Sequence, residues 1–251
     1  MKVLRDTWLI FQRNMLLVYR SPLWVVLGIA QPLVYLLLFT PLLKPALGTS
    51  TMADAYRVYV PGMLVALAIA SGLYVGFGLL GDLNNGVIER SRVTTVSRVA
   101  LLLGRSLRDV VTVLIQSILI TVLSLPFGLI TNLGNILLGY AILALISLST
   151  ASISYGIAIK VNNPNVLGQV INNVAQPLML LSGTLLPLTL APLWLRRVAD
   201  FNPFNWAATG MRALYMNHPD DMHVWASIAI CAGVVVVAVS WSASLFARSV
   251  R

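Results

Sequence analysis

The chain has 251 residues, of which only 10% are charged, against about 25% in a typical soluble domain. A mean hydropathy of +0.86 means more apolar surface than so few charges could cover in water. The net charge of +9 resembles a nucleic-acid signature only until the charges are placed along the chain, where they follow another logic.

Residues 2–20 read as a short amphipathic helix. Leu4, Trp8, Phe11, Met15 and Val18 recur at helical spacing on one stripe, while Lys2, Arg5, Arg13 and Arg20 crowd the other side. Such a helix lies in the headgroup plane with Trp8, Phe11 and Arg13 at the boundary; a polar lead-in to the first span is the alternative. Ser21-Pro22 then opens an apolar run over 22–43, proline being harmless in a first helical turn. The run lies too far from the N-terminus, and is too long, for a cleaved targeting signal, so it is expected to stay as an anchor.

Further charge-free runs follow. A spanning helix needs about 20 apolar residues for about 30 Å of hydrocarbon. Residues 59–81 supply one crossing. No charge lies between Asp109 and Lys160, room for two crossings at 110–130 and 134–159 with Thr131-Asn132-Leu133 as the turn. Residues 166–187 and 224–247 complete six expected spans in a single all-α membrane domain covering 1–251. With both termini inside, twelve basic residues lie on the inner side (Lys2, Arg5, Arg13, Arg20, Arg90, Arg92, Arg98, Arg105, Arg108, Lys160, Arg248, Arg251) against five outside (Lys44, Arg57, Arg196, Arg197, Arg212). That asymmetry is the positive-inside bias. The basicity sets topology, and nucleic acid is not an expected partner.

Span two carries Ala68, Gly72 and Gly76 four apart, and span four carries Ser147 and Ala151, with Thr150, Ser154 and Ala158. Small residues at this period let helices approach closely in lipid, here within one chain or at a dimer face. The hydroxyls of span four can also bond back to their own helix. Span five opens at Asn162-Asn163-Pro164-Asn165, a helix-start signal, and carries Gln169, Asn172, Asn173 and Gln176 before Pro177. Leu181-Ser182-Gly183 through Pro187, followed by Pro192, would break a helix. Irregular backbone at membrane depth needs protein or a cavity to cover it, so 178–195 reads as a re-entrant outer hairpin within an outer segment of 178–216. Asn202-Pro203 then caps a short helix to about Met216.

The loop 82–98 holds the chain's only glutamate, Glu89, and its densest charge. Ile88, Val93 and Val96 leave an intermittent apolar side, compatible with a short helix along the membrane; a solvated loop is the alternative. The pattern Asp82, Gly86, Glu89, Arg90, Thr94, Val96, Ser97, Arg98 resembles the cytosolic loop of type 2 ATP-binding-cassette exporter permeases, most closely the daunorubicin-resistance type. Ser182, Gly183 and Pro187, then Pro192 and Trp194, then Asn202, Pro203 and Arg212, are similar to the same family's outer segment. The order of these motifs covers nearly the whole chain. The sequence departs at Thr95, where the family usually has proline, which leaves the end of the coupling helix unspecified.

The resemblance implies a permease subunit of the plasma or inner membrane of a prokaryote, with both termini cytoplasmic. Two permease chains, as a homodimer or a heterodimer, would each seat one copy of a separate ATPase. ATP and Mg would be held by that ATPase. The loop around Asp82, Gly86, Glu89, Arg90, Arg92, Thr94, Val96 and Arg98 would be the coupling helix, and substrate would leave between spans two and five. Tyr74, Phe77, Asn172, Asn173 and Gln176 are candidate path residues, with core packing as the competing reading. The short outer loops and uncharged spans suit an amphipathic, drug- or lipid-like substrate.

The residues themselves bear on the division of labour. Lys2, Lys44 and Lys160 follow Met1, Leu43 and Ile159, so the chain contains no phosphate-cradling Gly-Lys loop, and hydrolysis is expected on another chain. Ion-driven transport needs ionisable groups inside the membrane; only Asp109 comes close, and beside Arg105 and Arg108 it reads as an interfacial ion pair. With Glu89 as the only glutamate there is no His-Glu-x-x-His metal site, and with Cys231 as the only cysteine no thiol cluster. The alternatives are a channel or scaffold that needs no ATPase, and an intramembrane hydrolase using Ser182 with His218 or His223 as base.

Overall fold

The computed structural model describes residues 2–20, 22–47, 51–85, 98–129, 131–184, 188 and 191–249. Those residues contain ten α-helices, one 3-10 turn and no strand. In chain order they are α1 (Lys2–Arg20), α2 (Pro22–Leu47), α3 (Met52–Tyr74), α4 (Gly76–Asn84), α5 (Arg98–Ser124), α6 (Leu133–Val161), α7 (Pro164–Leu181), α8 (Leu193–Asp200), α9 (Pro203–Tyr215) and α10 (Met222–Ser249), with the 3-10 turn Leu125–Phe127 after α5. Four stretches of the described residues are long and apolar enough to cross a bilayer: Met52–Asn84, Leu103–Phe127, Leu133–Val161 and Met222–Leu245. Gly28–Pro41 is a shorter apolar stretch, and the amides of α7 dilute its hydropathy.

Helix limits differ from the apolar runs because hydropathy marks depth, not helix ends. α3 begins at Met52, well before residue 59, since its polar first turn is satisfied internally. Thr51 Oγ1 accepts the Asp54 N–H at 3.2 Å, and Asp54 lies 3.7 Å from Arg57. α5 likewise starts at Arg98 rather than 110, and its charged residues Arg105, Arg108 and Asp109 are paired within the bundle. It stops at Ser124 rather than 130: Pro126 cannot donate into a continuing helix, and Gly128 takes φ +93°. The reversal therefore begins at Leu125, earlier than the expected Thr131-Asn132-Leu133 turn. Asn132 caps α6, accepting the Gly134 N–H at 3.1 Å. Asn163 caps α7 by accepting from Asn165 and Val166 at 2.9 and 3.3 Å. α7 runs through Pro177 and ends at Leu181, short of residue 187, where Gly183 takes φ +62°.

α6 is the centre of the bundle, touching α3, α4, α5, α7, α9 and α10. Its small residues are used within the chain. A Cβ on Gly72 would lie 1.9 Å from Thr150 Oγ1, and one on Gly156 would lie 2.2 Å from Trp241 of α10. Tyr155, Ile142, Ile146 and Cys231 lie in the resulting core. At one end of the bundle α1 lies along α5, where a Cβ on Gly104 would be 2.8 Å from Ile10. At the other end Asn217 Oδ1 accepts from the Asn132 N–H and from Asn135 Nδ2, at 3.2 and 3.1 Å, joining the start of α6 to the end of α9.

Candidate coupling end and translocation path

Asp82 stands on the last turn of α4, immediately before the charged loop. Arg105 of α5 donates to its carboxylate through Nη2. Gly86, Glu89, Arg90, Arg92, Thr94 and Val96 lie outside the described residues, and Arg98 opens α5. One turn along from Arg105, Asp109 is 4% exposed and accepts from Arg108, whose Nε lies at 2.8 Å. Its other oxygen accepts from the Tyr155 hydroxyl of α6. Asp109 is thus ion-paired, as its neighbours in sequence indicate. Of the two flanking arginines it takes Arg108, while Arg105 turns to α4. Nothing in the sequence pointed to Tyr155, which reaches Asp109 only because α5 and α6 pack together.

A buried carboxylate held by a guanidinium and a phenol is a fixed joint. Removing one member of such a set leaves an uncompensated charge in a poorly solvated place. Asp82–Arg105 is looser, Asp82 being partly open to solvent. Together the two sets tie the α4 end, α5 and α6 at the margin of the charged loop. α1 reaches the same end through the Gly104 contact. Its packed side runs through Thr7 and Ile10. Trp8 sits at the edge of that side, 54% exposed, its ring 5.2 Å from that of Phe11, and Arg13 is exposed.

The candidate path residues fall partly together. The Tyr74 hydroxyl donates to Asn172 Oδ1 at 2.8 Å, linking α3 to α7, and Tyr74 stacks on Phe77 with ring centroids 6.2 Å apart. Asn172, Asn173 and Gln176 are all on the exposed side of α7, and Tyr74 is itself exposed. A polar stripe of amides beside the exposed Tyr74, itself stacked on the half-buried Phe77, can hydrogen-bond and stack with an amphipathic molecule. Amides left facing hydrocarbon would be costly.

At the opposite end, the turn after α7 is tied down by side chains. Ser182 Oγ donates to the Met179 carbonyl at 2.7 Å, and Thr184 Oγ1 donates to the same carbonyl at 3.2 Å. Asn202 has two roles: it caps α9, accepting the Phe204 N–H at 3.1 Å, and its Nδ2 donates to Leu178 O at 3.1 Å. Pro203 occupies the first turn of α9. Arg212 of α9 donates through Nη2 to Gly183 O and through Nε to Val58 O at 3.3 Å. Gly62 makes room, since its Cβ would lie 2.3 Å from Thr184 O. Pro192 precedes α8 and Trp194 is exposed, while Pro187 lies outside the described residues. His223 is engaged with Asp221 at 2.7 Å, and no hydrogen bond joins Ser182 to a histidine among the described residues. The side chain nearest to a nucleophile here is a turn-former.

Known proteins share this chain's sequence pattern over most of its length. A family model described as ABC-2 type transporter matches residues 5–216. The chain is 27% identical over 227 residues to a daunorubicin resistance ABC transporter permease protein of Streptomyces coeruleorubidus, covering 90% of this chain and 80% of the relative. It is also 27% identical over 220 residues to ycf38, a candidate transport permease of Porphyra purpurea, covering 86% and 76%. A similar protein of Pyropia yezoensis is 28% identical over 208 residues, covering 81% and 71%.

Proposed function

Because the chain belongs to the ABC-2 type transporter family and is a multi-pass transmembrane subunit of that class, we propose that it is the permease of an ATP-driven exporter. Hydrolysis takes place on a separate ATPase that holds ATP and Mg. Two permease chains, identical in the simplest assembly, each seat one ATPase. The observation that carries this reading is the joint at the loop margin. The most charged loop of the chain leaves the bundle at Asp82, the Arg105 that grips Asp82 belongs to the same helix as Asp109, and Asp109 is tied to α6 through Tyr155. A push on the loop is therefore delivered to three helices together.

In this reading the six expected spans cross the plasma or inner membrane with both termini in the cytoplasm, and α1 lies at the inner interface. Loop 82–98 is the coupling element, and the segment after α7 re-enters the outer leaflet. An amphipathic, drug- or lipid-like substrate passes beside Tyr74, Phe77, Asn172, Asn173 and Gln176. The name of the Streptomyces relative, a daunorubicin resistance permease, agrees with such a cargo.

Purification from the native membrane in mild detergent tests the reading. We expect a stoichiometric ATPase to stay bound and to be lost from a Glu89→Lys variant that still reaches the membrane. Recovery of the permease alone under gentle conditions would favour the channel or scaffold reading, and wild-type transport by Glu89→Lys would remove the loop from the coupling role.

A further inference from the structure

Between α3 and α4 the helix is interrupted at one residue. Val75 keeps right-handed dihedrals, φ −65° and ψ −21°, so the chain does not turn away. The hydrogen-bond ladder is nevertheless altered there. The Gly76 N–H donates to Ser154 Oγ of α6 at 3.0 Å, and the same hydroxyl donates to Leu73 O. Beyond the break the ladder restarts in 3-10 fashion, Gly78 N–H to Val75 O at 3.0 Å, with Leu79 N–H to the same carbonyl at 3.4 Å. One side chain from a neighbouring helix has thus entered the ladder and taken up both a donor and an acceptor. Insertion of a side chain into the ladder is one of the few physical causes of a helix kink. Irregular backbone at membrane depth persists where a neighbour's hydroxyl satisfies it.

The approach is possible only because position 76 lacks a side chain: a Cβ there would lie 2.5 Å from Ser154 Oγ and 2.8 Å from Ser154 O. Ser154 itself is fully buried. The groups flanking the break are functional candidates on both sides. Tyr74 and Phe77 stack across it, and Tyr74 holds Asn172 of α7. Beyond it α4 is a nine-residue segment whose far end is held by Arg105 through Asp82.

We propose that Ser154 is a positioning residue that makes Val75 the flexure of the α3–α4 helix, so that α4 moves as a short lever between the coupling loop and the Tyr74–Phe77 pair. The proposal rests on the permease reading for its role in transport, but the flexure itself does not. A serine acting as a wedge keeps two backbone groups out of the regular ladder. Replacing it with alanine lets Gly76 N–H return to the carbonyl one turn back and straightens the helix.

Pulsed electron-electron resonance in lipid nanodiscs tests this on the full chain without substrate or ATPase. Spin labels go on Met52→Cys and Asn84→Cys, at the two ends of the α3–α4 helix, in a Cys231→Ala background. Ser154→Ala is expected to shift the distance distribution to longer values and narrow it at least twofold, with thermal stability equal to or above that of the parent. Ser154→Thr keeps the hydroxyl and is expected to retain the parent distribution. An unchanged distribution in Ser154→Ala would overturn the proposal. So would a broader distribution with a lowered melting temperature, which would make the serine a brace and not a wedge. If the flexure holds while no ATPase partner is found, the permease reading fails and the flexure stands.

Discussion

The two ends of the bundle hold buried charge in opposite ways. At the Asp82 end two arginines meet carboxylates: Arg105 meets Asp82, and Arg108 meets Asp109, which also receives the Tyr155 hydroxyl. At the other end Arg212 rests on the carbonyls of Val58 and Gly183, and no carboxylate forms an ion pair with it among the described residues. Parting a buried ion pair strands two charges. A guanidinium on carbonyls can exchange one carbonyl for another, or for water, at the cost of a hydrogen bond. The paired end therefore resists separation more strongly than the Arg212 contact does. In the proposed reading, a push received at the paired end and an opening at the other would use that difference.

The contrast can be broken at its strongest point. Asp109→Asn leaves the part-buried Arg108 without its counter-ion, and we expect a loss of about 3 kcal/mol, the low end for such a pair, read as the disappearance of the monodisperse folded fraction in detergent. Adding Arg108→Gln should restore most of that fraction, because the stranded charge goes too. Full stability of Asp109→Asn alone would mean the paired end is not a fixed joint. A smaller effect is expected at the other end. Arg212→Met leaves two uncharged acceptors without this donor, a cost of about 1–2 kcal/mol and below that of Asp109→Asn in the same melting experiment. Equal losses at the two ends would erase the contrast.

The smallest effect sharpens the surface margin of the Arg212 end. Asp221 accepts the His223 backbone N–H at 2.9 Å and the His223 ring nitrogen at 2.7 Å. These bonds, the backbone one first, hold its carboxyl below the ordinary value of 3.8. A carboxyl depressed on folding contributes stability that is complete above its unfolded value and is lost as pH falls through the lower folded value. Asp221→Asn should thus lower the melting temperature slightly at neutral pH and converge with the parent in strong acid. A difference that persists unchanged at the acid end would assign the effect to something other than this carboxylate.

The start signals of α7 and α9 were legible in the sequence, whereas α3 and α5 begin well before their apolar runs. Asn132, Asn163 and Asn202 each cap the helix that follows, because a cap is completed within three residues of itself. Gly72 and Gly76 announced a close helix contact, and the structure spends it within the chain, against Thr150 and Ser154. The hydroxyls of α6 divide: Ser149 and Ser152 bond back to their own helix, Thr150 does so while also reaching Ala68 O of α3 at 3.5 Å, and Ser154 crosses to α3 and α4. Residue type cannot make that distinction, since all four carry the same donor.

The sequence by itself determined that this is a helical membrane chain, where α7 and α9 are signalled to begin, which loop carries the charge and which family the chain belongs to. Those properties depend on composition or on neighbours a few residues away. Only the tertiary structure decided that Arg105 takes Asp82, that Tyr155 takes Asp109 and that Ser154 enters the α3–α4 ladder. Those partners lie 23, 46 and 81 residues apart in the chain. Side chains so far apart meet only through the packing and rotation of whole helices, which no local pattern encodes.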